Sequence, residues 1–220
     1  MLYLTPNELF EALYERKHTQ TDIDLSYCVM NGAYLLGTNF TEADLTGSQL
    51  RNANLHGAIF AYANLTKTDL RDSDLTRITL TNANLDYANL RGVDLKGSHC
   101  KNAIFKSANL QLADMRWGDF EGADFTGADL RGVDFSGANL KNAIFLRADL
   151  TCAKLTYACL EGANLTLSTL NEANLTAANL SDAVFEYASI TNAIFTEAYL
   201  DYADFRNTDI SKAIVNILPC

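Results

Sequence analysis

A large apolar residue recurs at every fifth position between Leu25 and Ile210. These 38 positions, called centres here, hold Leu, Phe, Met, Ile or, once, Cys, and the frame never slips. The residue two before each centre is alanine in 25 of the 38 units, and the residue just before it is Asp or Asn in 23. The two residues after a centre are mainly polar or glycine. Each unit therefore carries one large and one small apolar residue at fixed places.

A period of five matches neither the 3.6-residue period of an α-helix nor the two-residue alternation of a plain strand. A chain that turns a corner after every five residues keeps both apolar residues of each unit on its inner side. Asn, Asp and Gly tolerate the unusual backbone angles of tight bends, which favours the polar residues at the outside and the corners. The pattern therefore predicts a coil with flat sides, each five residues long.

Like side chains also recur at a spacing of twenty residues, which predicts four sides in each turn of the coil. Phe105, Phe125 and Phe145 form one such column, and other aromatic and charged residues form shorter ones. A column whose members stack in successive coils places its apolar centres in one continuous core. The centres expected in that core include Leu45, Leu65, Leu85, Phe105, Phe125, Phe145, Leu165, Phe185 and Phe205.

Segments such as Ala43-Asp44-Leu45 and Ala128-Asp129-Leu130 resemble the pentapeptide-repeat family, whose consensus is A(D/N)LXX. The resemblance covers about residues 21–213, and the segment that precedes them is similar to cyanobacterial members. It implies an all-β solenoid, a right-handed quadrilateral β-helix. The 38 units, at four to a coil, make about 9.5 coils. With about 4.8 Å between neighbouring strands, the rod is expected to be about 45 Å long.

Both ends of such a rod need a cover, because a terminal coil exposes apolar centres and unpaired backbone groups. Residues 1–20 are expected to form an N-terminal capping helix: Thr5, Pro6 and Glu8 fit a helix start, and the helix is expected to run to about Lys17.

Residues 214–220 are expected to form a C-terminal tail after the β-helix of residues 21–213. Its apolar residues suit either of two roles, a fold over the last coil or a contact with a second subunit. The family resemblance implies a possible homodimer through the C-terminal coil.

No constellation of residues predicts catalysis. Cys28 and Cys100 occupy inward positions, Cys152 and Cys159 lie on different sides, and the three histidines are scattered. No nucleotide-binding or hydrolase motif is present. We therefore expect a protein that is not an enzyme, with no catalytic residue, no cofactor and no metal.

The net charge of −10 makes general nucleic-acid binding unfavourable, because the chain has no surplus of cations to displace counterions from phosphate. No apolar run approaches the roughly 20 residues of a membrane span, so no membrane association is expected. The N-terminal residues lack the apolar region of a secretory signal, which predicts a cytoplasmic protein.

Charged residues also form columns. Arg51, Arg71, Arg91 and Arg131 share one column, and an Asp column begins three residues later at Asp74. We expect each Arg to pair with the Asp across the adjoining corner. Such an edge suits either a solvated surface or a recognition surface. The residues of a possible interaction surface are Arg71, Asp74, Arg91, Asp94, Arg131, Asp134, Glu197 and Asp201.

Two functions fit these observations. The first is a non-catalytic scaffold for protein–protein interaction with an unidentified protein partner, which suits outward aromatic residues such as Tyr27, Tyr87, Trp117 and Tyr157. The second, implied by the family resemblance, is a DNA-mimicking modulator of type II topoisomerase (gyrase) of the quinolone-resistance type. The acidic C-terminal third favours this alternative, whereas the columns of paired Arg and Asp do not.

Overall fold

The computed structural model describes residues 2–3 and 23–215. Parallel β-bridges join each bridging residue to the residue twenty positions later, beginning with Asp24 to Asp44. Four such bridges fall within each stretch of twenty residues, starting at Asp24, Val29, Tyr34 and Asn39. The chain therefore winds as a four-sided parallel β-helix with twenty residues in each coil.

The four sides are numbered here by their first bridges: side 1 by Asp24, side 2 by Val29, side 3 by Tyr34 and side 4 by Asn39. Later members of each side follow every twenty residues. The corner after each side takes the number of that side, so that Tyr27 lies at corner 1. Residues that share a place in successive coils form a column.

The coil satisfies the backbone N–H groups of each five-residue unit in a fixed way. In residues 43–47, Ala43 donates to the preceding centre across the corner and Asp44 donates to the preceding coil. Leu45 and Gly47 donate to the following coil, at 2.8 and 2.9 Å between N and O. These bonds leave only the N–H of Thr46, and it donates to Oδ1 of Asp44 at 2.9 Å.

This last bond explains why Asp or Asn so often precedes the centre. A buried or half-buried N–H without an acceptor is costly, and an Asx side chain can accept from the residue two positions later. Where another residue precedes the centre, the preceding coil can supply the acceptor. Asn31 accepts from the N–H of Arg51, and Asn171 accepts from that of Thr191, both at 2.9 Å.

The inward centres stack into one core that runs along the rod. Phe105 and Phe125 stack with ring centroids 4.9 Å apart, and Phe125 and Phe145 with centroids 5.1 Å apart. Leu45, Leu65, Leu85, Leu165 and Phe185 are also buried, whereas Phe205 is half-buried near the C-terminal end. The small residue two before each centre leaves space for these larger side chains.

One glycine shows how closely the core is packed. Gly118 takes the inward place of the usual alanine, and a Cβ atom there would come within 2.4 Å of Cε2 of Phe120. Cys100 stands directly before Phe120 in the same column of centres and is smaller than the usual leucine. The ring of Phe120 thus fills space that the small residues Gly118 and Cys100 leave open.

The corners differ from the expectation that Asn, Asp and Gly supply the bends. From residue 27 to residue 207 every corner has a residue with φ between 54° and 70°, and only 11 of these residues are glycine. The other 26 include Arg77, Leu112 and Trp117. A left-handed L-residue costs about 1–2 kcal/mol, and the N–H of Leu112, for example, donates to the following coil at 3.0 Å.

Several corner glycines lie beneath a large side chain of the preceding coil. A Cβ atom on Gly137 would come within 2.7 Å of Cδ1 of Trp117, and one on Gly47 within 2.8 Å of the ring of Tyr27. The glycine therefore provides room for an exposed side chain to lie along the corner. No atom comes within 4 Å of the same position at Gly57.

The ends of the described chain are irregular. Strand β1 (Leu2–Tyr3) pairs in parallel with strand β2 (Cys28–Val29) in the first coil. The predicted capping helix, from Thr5 to about Lys17, lies outside the described residues, as do residues 216–220 of the predicted tail. At the C-terminal end, residues 210–212 form a 3-10 helix (Ile210–Lys212).

Ile210 corrects the sequence-based assignment of the last centre. It was expected to point inward, but it lies in the 3-10 helix and is 50% exposed. Asp209 caps this helix, since its Oδ1 accepts from the N–H and the hydroxyl of Ser211. The regular coil therefore breaks on side 2, although Ile214 still pairs with Ile194 on side 3.

Two glycine substitutions separate the two reasons for glycine at a corner. Gly57→Ala adds only the left-handed strain, a loss of about 1–2 kcal/mol. Gly137→Ala adds a collision with the indole, so we expect a clearly lower urea midpoint than for Gly57→Ala. Because Trp117 is the only tryptophan, its fluorescence reports the displacement. Equal midpoints and unchanged emission would contradict the packing of Trp117 on Gly137.

Candidate functional site

The outward side chains on each side are those just before and just after a centre. Successive residues of an extended chain point to opposite faces, so these two side chains emerge on the same face. On side 2, Arg71 donates to both oxygens of Asp69, through Nε at 2.9 Å and a terminal nitrogen at 2.9 Å. Arg51 of the preceding coil donates to the same carboxylate at 2.7 Å.

These contacts hold the carboxylates in their charged form. Burial raises the pKa of Asp69, but the hydrogen bonds from Arg71 and Arg51 outweigh it, so that the pKa is lowered. The hydrogen bond from Arg131 lowers the pKa of Asp129 in the same way. Arg131 also lies 3.8 Å from an oxygen of Asp149 in the following coil.

The predicted pairing of the Arg and Asp columns across a corner is therefore wrong. Arg71 pairs with Asp69 rather than Asp74, and Arg131 with Asp129 rather than Asp134. The reason is that the two residues flanking one centre share a face, whereas residues on either side of a corner lie on different faces.

The Asp column of side 3 has its own partners. Asp94 pairs with Lys96 at 2.8 Å. Asp134 lies 3.7 Å from Nζ of Lys154 in the following coil. Asp74 instead accepts hydrogen bonds from the N–H and hydroxyl of Thr76. Most of this column is thus neutralised or hydrogen-bonded along its own side.

Besides Asp74, three members of the predicted interaction surface have no ion pair within residues 23–215: Arg91, Glu197 and Asp201. All three are exposed. On side 2 the other arginines pair with aspartates such as Asp69 and Asp129. The equivalent positions next to Arg91 hold Asn89 and Asn109, which carry no charge. A partner that supplies a carboxylate at Arg91, or cations at the two acids, would therefore not have to break an existing pair.

Corner 3 presents the exposed tryptophan and an exposed tyrosine on one edge. Trp117 is 65% exposed and Tyr157, two coils later, is 73% exposed. The guanidinium carbon of Arg116 lies 5.1 Å from the centroid of the Trp117 ring. Both aromatics were expected to be outward, but their position at one corner was not predicted, although their forty-residue spacing indicates it.

The remaining candidates for chemistry are the buried thiols and groups of metal-ligating side chains. Burial raises the pKa of the Cys100 thiol to about 12, so this thiol stays protonated inside the core. Among residues 2–3 and 23–215, no three or more His, Cys, Asp or Glu side chains are grouped so that they could hold a metal ion. Within the same part of the chain, no helix is long and apolar enough to cross a membrane.

The model of the pentapeptide repeats matches this sequence in eight copies that together extend from residue 21 to residue 216. The chain belongs to the pentapeptide-repeat family. Members of this family form a right-handed quadrilateral β-helix, which agrees with the four-sided coil described above. A comparison with curated proteins gave no match.

Solved pentapeptide-repeat structures are similar along most of the chain. A trypsin-treated form of QnrB1, a plasmid-mediated fluoroquinolone resistance protein, is 20% identical with a TM-score of 0.66, over 86% of this chain and 91% of that chain. HetL, involved in heterocyst differentiation regulation in the cyanobacterium Nostoc sp. strain PCC 7120, is 26% identical with a TM-score of 0.44, over 92% and 95%.

Proposed function

We propose that this protein is a non-catalytic scaffold that binds another protein along corner 3. The observation that carries the proposal is the pair of exposed aromatics on one straight edge, Trp117 and Tyr157, with Arg116 beside the indole. Trp, Tyr and Arg are the residue types that dominate binding energy at protein interfaces.

The geometry of Trp117 supports this proposal further. Its ring lies along the corner over Gly137, and this contact restricts its rotation although the ring is exposed. Ordering a side chain on binding costs about 0.5–1.5 kcal/mol, and a side chain that is already held pays less of this cost. Because Arg116 donates to Asp114 through two nitrogens, at 2.9 and 2.7 Å, it is held in the same way.

The double variant Trp117→Ala/Tyr157→Ala tests the scaffold. As a bait in lysate of the native host, it is expected to lose at least one protein that the parent captures, by tenfold or more in quantitative mass spectrometry. Tyr87→Ala is the matched control, because Tyr87 is exposed to a similar extent but lies at corner 1. Capture that is the same for all three baits, each with the parent's circular dichroism, would contradict corner 3 as the contact.

A second candidate function, mimicry of DNA toward a type II topoisomerase, rests on unpaired carboxylates near the C-terminal end. Residues 155–215 contain eight acidic and two basic side chains. Five of the eight have no ion pair within the described residues: Glu172, Asp182, Glu186, Glu197 and Asp201. This contrasts with sides 2 and 3 of the preceding coils, where Arg and Lys neutralise most carboxylates.

Titration of purified protein into a DNA gyrase supercoiling assay tests this second function. If the acids mimic DNA, supercoiling is inhibited at micromolar protein or below. Glu197→Lys/Asp201→Lys then raises the required concentration at least tenfold, because it reverses two of the five charges. An absence of inhibition at large excess of the parent would rule the mimic out and leave the scaffold.

A further inference from the structure

The central coils contain a second repeat of forty residues, which is two coils long. The segment Lys-Asn-Ala-Ile-Phe occurs at 101–105 and again at 141–145, and Glu-Gly-Ala occurs at 121–123 and again at 161–163. All four segments pass through corner 4. Side chains along this corner therefore alternate from one coil to the next.

The alternation places opposite charges next to each other along the corner. Nζ of Lys101 lies 3.1 Å from Oε2 of Glu121, and Nζ of Lys141 lies 2.8 Å from Oε1 of Glu161. The column thus has the order plus, minus, plus, minus along the rod.

The corner is also flat through these four coils. Oδ1 of Asn102 lies 2.5 Å from the position that a Cβ atom of Gly122 would take, and Asn142 is placed in the same way over Gly162. Each amide therefore covers the glycine of the next coil, and no side chain larger than asparagine occupies the left-handed position of corner 4 between residues 102 and 162. A flat edge of this kind permits close approach of another flat edge.

We propose that corner 4 is the contact between two copies of this chain lying side by side and antiparallel. When the column is reversed about its midpoint, Lys101 faces Glu161 of the second copy and Glu121 faces Lys141. The symmetry of a two-fold axis repeats both contacts, which gives four pairs of opposite charge. A parallel pair in register would place like charges together, so the column selects the antiparallel arrangement.

The part of corner 4 from Tyr62 to Tyr202, called the strip here, fits the same arrangement at both ends. Tyr62 lies at corner 4 two coils before Asn102, and Tyr202 lies there two coils after Gly162, so each faces the other across the two-fold axis. On side 4, Ile59 and Tyr199 match in the same way. All four are exposed, Tyr202 by 90%. Aromatic and apolar contacts would thus flank the four charged pairs at both ends.

The size of the strip predicts a weak association. Seven coil spacings of about 4.8 Å, and a width no greater than that of one side, about 16 Å, give at most about 500 Å² on each copy. A total of about 1,000 Å² is at the lower end of specific interfaces, where contacts are transient. Self-association is therefore expected at high protein concentration and low salt, since the exposed charges are screened by salt.

Charge-swapped variants test this proposal by sedimentation velocity. Lys141→Glu is expected to raise the dissociation constant at least tenfold, whereas Lys154→Glu, the same change on side 3, leaves it unchanged. The fourfold swap Lys101→Glu/Glu121→Lys/Lys141→Glu/Glu161→Lys preserves the net charge of −10 and the alternating order. It is expected to self-associate like the parent.

The decisive arm mixes the fourfold swap with fluorescently labelled parent chain. Each Lys of the parent would then face a Lys of the variant, so no mixed dimer is expected although both proteins self-associate. A mixed dimer, or a parent that remains monomeric at the highest soluble concentration in low salt, would overturn the proposal. So would self-association that Lys141→Glu leaves intact but Ile214→Asp abolishes, because that result indicates contact through the C-terminal coil.

Discussion

The structure depends on one constraint: each residue of a coil lies directly against the residue twenty positions away. Three of the five backbone N–H groups in a unit bond to a neighbouring coil, one closes the corner, and the fifth is taken by the Asx side chain before the centre. A residue inserted within a side would put the rest of that side out of register with the neighbouring coils and break these bonds locally, which favours the unbroken five-residue frame from Leu25 to Phe205.

The same constraint limits which side chains can follow one another along a column. Stacking brings equal positions of successive coils together, so that size and charge must be compatible along every column. In the core, Gly118 and Cys100 make room for Phe120. At the corners, a glycine follows twenty residues after a large side chain such as Trp117. On the surface, many charges are paired on their own side or alternate in sign along a column, as in the column from Lys101 to Glu161.

The sequence predicted the family and the parallel four-sided coil, because both follow from periods that are visible without coordinates. It did not predict the ion pairs. The partner of Arg71 is Asp69 rather than Asp74, and this depends on which two side chains leave the same face of the chain. The left-handed corners at Leu112 and Trp117 were also missed, since the inter-coil hydrogen bonds override a local preference for Asn, Asp or Gly. Ile210 fits the five-residue period in the sequence, but in the structure it lies in the 3-10 helix and not in the core.

Thermal unfolding of Phe125→Asp, followed by circular dichroism, tests the central claim that stacked inward columns hold the coils together. Phe125 is fully buried between Phe105 and Phe145, so a carboxylate there has no partner and the parent's melting transition is expected to be lost or strongly lowered. Gly127→Asp is the control, because it adds the same charge at an exposed corner position, and Asp72 and Asp182 adopt this φ at other corners. A Phe125→Asp protein that melts like the parent and like Gly127→Asp would contradict the inward stack.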